Sequence, residues 1–100
     1  MTTKAGELYT FYDEDDAAFF VVKVLVVDKD AVHARVFDTP FKSAPTEVET
    51  SQLEWFVGHT PLDHDVLAEL KAVKIGVEAV TEDELEGYRI WKDEGGGVFH

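Results

Sequence analysis

The chain has 100 residues, 45% of them hydrophobic, with twelve aromatics and a formal net charge of −12 at pH 7. That length and apolar content suit one domain, 1–100, with one core and loose ends near 1–5 and 95–100; they exclude intrinsic disorder despite the charge. Nine Lys and Arg among twenty-one acids leave no concentrated positive surface for nucleic acid or an anionic membrane, so the field favours a basic protein or a divalent metal.

The absence of cysteine excludes disulfides, thiolate zinc sites and cysteine catalysis. The opening MTTKAGELYT lacks a signal-peptide apolar run, and no segment approaches the roughly 20 apolar residues of a membrane helix. The expectation is a cytoplasmic, unprocessed chain.

In chain order, Glu7 to Tyr12 carries β-favouring side chains up to the acidic turn Asp13 to Asp16. Ala17 to Val27 is apolar except for Lys23, which predicts a second strand. In Ala31 to Asp38, Val32, Ala34 and Val36 share one face, and His33, Arg35 and Phe37 the other. A three-residue loop at Asp28 to Asp30 would set Phe20, Val22, Val24 and Val26 beside Val32, Ala34 and Val36. The opposite face, with Phe19, Val21 and Leu25, then needs a covering helix or a second copy in a homodimer.

Thr39 to Gln52, with Pro40 and Pro45, reads as a long irregular connection and the leading candidate for a binding loop. Leu53, Trp55, Val57 and His59 alternate as a fourth strand. Asp63 is expected to cap a short helix ending near Lys71, with Leu62 and Leu67 as its hydrophobic staple. Val73 to Ala79 alternates as a fifth strand. The strongest local signal is Thr81-Glu-Asp-Glu84, a capping box stapled by Val80 and Leu85. Leu85, Tyr88 and Trp91 form the apolar stripe of that helix until Gly95, whereas Ile90 falls among Asp83, Glu86 and Glu94.

These elements predict an α+β fold: a small, strongly bent five-stranded antiparallel sheet or SH3-like barrel with two helices, the C-terminal one packed on the sheet. Val98 and Phe99 are expected to fold back onto the core.

Two histidines and two aspartates in His59-Thr-Pro-Leu-Asp-His-Asp65 raise a metal or catalytic reading. His33, His59, His64 and Asp65 would be the metal ligands, but a four-residue gap across a strand-to-helix step is no standard zinc spacing. A capped helix beside a hydrogen-bonded histidine is favoured. Asp13 to Asp16 lacks the pattern of a calcium loop. Gly95 to Gly97 follows a helix, which is the wrong end for phosphate. Ser43 and Ser51 lack nucleophile-elbow glycines. Lys23, His33 and Arg35 would hold an anion or, by preference, form an exposed polar patch. Tyr9, Phe11, Tyr12, Phe19, Trp55 and Phe56 raise an aromatic cage for a methylated ammonium, with core packing as the favoured alternative.

Val57-Gly-His-Thr-Pro-Leu62, the helix Thr81-Glu-Asp-Glu-Leu-Glu-Gly-Tyr-Arg-Ile-Trp91 and Gly95-Gly-Gly-Val-Phe99 resemble short uncharacterised bacterial proteins. Those share a GH-x-P-[IVL] step and an EL-x-GY-x-x-W helix with a glycine-rich tail. The resemblance implies a bacterial cytoplasmic setting and carries over no activity. Immunity proteins of toxin systems offer a weaker analogy.

The leading functional expectation is a noncatalytic acidic protein-binding module without a cofactor, contacting a basic partner through Phe41, Ile90, Glu86 and Asp83. The alternatives are a small metal-assisted hydrolase using the clustered His and Asp, and a small-ligand sensor.

Overall fold

A computed structural model describes residues 3–95. Five strands form one antiparallel sheet: β1 (Glu7–Asp13), β2 (Ala18–Val27), β3 (Val32–Phe37), β4 (Trp55–Leu62) and β5 (Val73–Val77). Two helices, α1 (Val66–Glu69) and α2 (Glu82–Asp93), and a 3-10 turn at Thr50–Gln52 complete the described elements. The strand order β4-β3-β2-β1-β5 makes a four-strand meander with β5 added outside β1. No helix is long and apolar enough to cross a membrane among the described residues.

Of the two expected architectures the open sheet is found, because β4 and β5 remain its two edges and do not pair with each other. Pro61 removes one backbone donor from β4. The register of β4 against β3 also shifts on both sides of the Val36–Val57 pair. Such bulges strengthen local twist and work against flat edge-to-edge pairing.

The β2–β3 register obeys the apolar pattern where it matters, with Val22 opposite Val36 and Val24 opposite Ala34. A shift between Val24 and Val26 then puts Val26 opposite His33 and Val27 opposite Val32, so the loop spans Asp28 to Ala31. That is one residue longer than the pattern requires. The Asp28 carboxylate accounts for it by accepting the Asp30 and Ala31 amides, both at 2.9 Å, in a side-chain-closed turn.

Both sheet faces are covered within the chain. On one side Tyr9, Val22, Val24, Val32 and Ala34 form the core, closed by Leu67 of α1, with Phe11, Val36, Leu62 and Ala72 at its margin. The segment from β4 to β5 thus carries the chain across that face and anchors itself by burying Leu67. On the other side Leu8, Val21 and Leu25 are fully buried together with Lys23 and His33, and α2 packs there against β4 and β2. Each such apolar side chain contributes about 1.5–3 kcal/mol on burial.

The helix ends show where local signals win. Thr81 caps α2 with both halves of the capping box in place, as the T-x-x-E spacing predicts. The N-cap of α1 is Asp65, two residues beyond the expected Asp63 and without a side-chain cap bond; the Asp63 carbonyl accepts the Val66 amide. One turn of helix has little to gain from a strong cap. Its exit is a Schellman motif, in which the Lys71 and Ala72 amides donate to the Ala68 and Leu67 carbonyls. Lys71, at φ 56°, takes the left-handed position that glycine usually fills. Val98, Phe99 and most of the expected glycine tail lie outside the described residues.

Candidate functional site

The histidines converge only in part. His33 on β3 has no exposed surface. Its Nε2 lies 2.9 Å from Asp28 Oδ2, and its Nδ1 lies 2.9 Å from His59 Nε2 on β4. With neutral rings, the Asp28 carboxylate holds the proton on His33 Nε2, and His33 Nδ1 accepts from His59 Nε2–H. The two rings stack 5.1 Å apart, and Tyr88 and Trp91 of α2 meet His33 edge-on at 4.5 and 4.4 Å. Burial, with the neighbouring His33 adding to it, drives His59 down to about 4. The Asp28 carboxyl is raised by burial, yet the His33 bond and the Ala31 and Asp30 amides hold it below its ordinary value.

His64 and Asp65 are exposed beside α1. Among the described residues no three His, Asp or Glu side chains are arranged to hold a metal ion. Both His33 nitrogens are already engaged by protein groups, so the candidate set of His33, His59, His64 and Asp65 does not form. The pair is a packing device under α2, and Gly87 makes it fit: a Cβ there would stand 2.6 Å from the His59 Cβ.

Lys23 corrects the expected exposed cation patch. It is 2% exposed, and its ammonium reaches Ala79 O at 2.8 Å, Glu84 Oε1 at 3.0 Å and Glu78 Oε1 at 3.3 Å. Those three acceptors match the three donors of a lysine. Glu78 also receives the Thr50 amide at 2.9 Å and the Thr50 hydroxyl. Glu84 receives the Thr81 amide and hydroxyl of the capping box. Burial raises both carboxyls; Thr50 and Lys23 at Glu78, and Thr81 and Lys23 at Glu84, more than offset it and leave both below the usual range. A cavity of about 560 Å³ opens over this network, but its central groups satisfy one another. The strand pattern exposes the unusual Lys23 to a reader of the sequence; only the fold supplies its two glutamates.

The partner candidates fall in two places. Asp83, Glu86, Gly87 and Ile90 of α2 face Arg35, Trp55, Gly58 and His59 across a groove of about 420 Å³. Trp55 is 53% and Ile90 52% exposed, and the Arg35 guanidinium lies 5.0 Å over the Trp55 ring. Phe41 does not join them. It is tied to the start of β2 by paired backbone bonds with Phe19 of 2.8 and 2.9 Å, and it is half-buried. Trp55 shares the groove with His59, on the side alternation gives it, but at 53% exposed it is no core residue.

The aromatic cage is also divided. Tyr9 is buried, with its hydroxyl donating to Glu7 Oε1 at 2.8 Å; Tyr12 and Phe19 pair edge-on; Trp55 lies under Arg35. Phe11 and Phe56 line a separate cavity on the Val22 side of the sheet. No protein-family model, curated protein or solved structure matches the chain.

Proposed function

We propose that the chain is a noncatalytic protein-binding module that takes a basic partner on the groove between α2 and β4. The observation that carries this reading is Trp55 and Ile90, both about half exposed, lining one groove with Asp83 and Glu86. An exposed aromatic ring beside an aliphatic side chain provides the apolar centre of an interface. The carboxylates at its margin, within a field of net charge −12, steer a cationic surface toward it. Gly58 and His59 of β4, an edge strand of the sheet, line the same groove. Inhibition of a basic protein, in the manner of an immunity protein, is one form of this function.

The test is affinity capture at neutral pH, with elution by increasing salt, using wild type, Ile90→Arg and Glu86→Lys as parallel baits. A basic protein retained by wild type and lost from both variants is the expected result. Retention unchanged by either substitution, or no retained protein, would overturn the assignment of this face.

A further inference from the structure

The second surface feature lies on the other side of the sheet and is independent of the α2 groove. A cavity of about 580 Å³ opens at the β1–β2 turn and the end of β3, walled by Phe11, Phe20, Phe37 and Phe56. Asp13 at the end of β1, Asp16 of the turn and Asp38 after β3 share its lining. Its volume falls within the range of small-molecule pockets. Phe11 and Phe20 face each other across β1 and β2, with ring centroids 6.2 Å apart. Phe56 leaves its ring 67% exposed.

The two halves of this lining make different demands. Four phenyl walls favour an occupant with apolar surface, and a hydrated metal ion has none. Three carboxylates favour positive charge in more than one place, so a single quaternary ammonium would leave the negative charge largely unmatched. Phenylalanine is also a weaker cation-π partner than tryptophan. A linear aliphatic amine with two or more ammonium groups satisfies both demands: its methylenes lie on the rings and its ammonium ends meet the carboxylates.

We infer that the cavity walled by Phe11, Phe20 and Phe56 and bordered by Asp13, Asp16 and Asp38 is a binding site for a linear aliphatic polyamine. Because the whole chain is acidic, attraction alone proves nothing, and the test separates charge from shape. Spermidine is titrated into the protein at physiological ionic strength while aromatic proton resonances and binding heat are followed, with butylamine, tetramethylammonium and magnesium chloride as parallel probes.

Saturable binding that moves the Phe11, Phe20 and Phe56 ring signals is expected, at least about tenfold tighter than for butylamine or magnesium. Phe56→Ala keeps the net charge, and Asp38→Asn changes it by one at an exposed position; each should weaken spermidine about tenfold with circular dichroism unchanged. Ile90→Arg should leave spermidine binding at this cavity intact, which separates it from the α2 groove. Equal affinity in Phe56→Ala, equal binding of magnesium, tighter binding of tetramethylammonium, or ring signals that do not move would each overturn the assignment.

Discussion

Replacing Lys23 by Met keeps most of the methylene stem and deletes the ammonium that joins β2 to Glu78, Ala79 and Glu84. The side chain is 2% exposed, against 9% for Glu84 and 26% for Glu78. Glu84 therefore stays buried without its counter-charge. Removing one member of a buried, hydrogen-bonded pair costs about 3–5 kcal/mol. That is a large part of the roughly 5–15 kcal/mol that holds a typical domain folded. For a chain of this length it lowers Tm by roughly 12–40 °C.

The pH dependence identifies the cause. In the wild type the stability from the lowered Glu78 and Glu84 carboxyls is present above their ordinary pKa and lost as pH falls through the depressed folded values. In Lys23→Met the burial of Glu84 remains while one group opposing it is gone, so that carboxyl takes up its proton at higher pH. The difference between the two proteins should thus be greatest at neutral pH and shrink below the carboxylate range. Urea unfolding followed by tryptophan fluorescence at several pH values measures it. A loss under 1 kcal/mol, or one constant with pH, would refute the charge-pair account.

Three further outcomes are expected. Gly87→Ala would ordinarily stabilise a helix interior by up to about 1 kcal/mol, but the 2.6 Å approach to the His59 Cβ reverses the sign, and thermal melts showing a more stable variant would contradict the packing of α2 on β4. His59, held down to about 4 by burial and His33, contributes stability in full above pH 6.5 that is lost as pH falls toward 4, at most about 3 kcal/mol and less once solvent screens this partly exposed ring. His59→Gln should flatten the urea midpoint over that interval, and a slope equal to the wild type's would refute the assignment. Thr81→Ala removes the hydroxyl that accepts from the Glu84 amide and should cost about 1 kcal/mol, read as a lower denaturation midpoint with unchanged m-value; no change would mean that α2 does not depend on its cap.

What the sequence determined by itself was everything set by neighbours along the chain. Alternation around Val22 and Val36 was enough for strands and their facing residues, because strand period and burial of one face leave one workable register. Thr81 and Glu84, three residues apart, were enough to start α2. The small five-stranded α+β fold with its C-terminal helix on the sheet follows from those signals; that the sheet stays open and does not close into a barrel was decided by the strand pairing. Tertiary structure decided the rest. Asp63 was expected to cap α1, but the helix starts after Asp65, where Leu67 reaches the core. Lys23 looked like part of a surface patch because its glutamates lie 55 and 61 residues away. His33 and His59 were visible as candidates, yet whether two rings separated by 26 residues bind a metal or one another depends on strand pairing. Trp55 and Phe56 do lie on opposite sides of β4, as alternation has it, Trp55 beside His59 and Phe56 beside Phe11; that both rings stay exposed was decided by how far the rest of the chain covers each face.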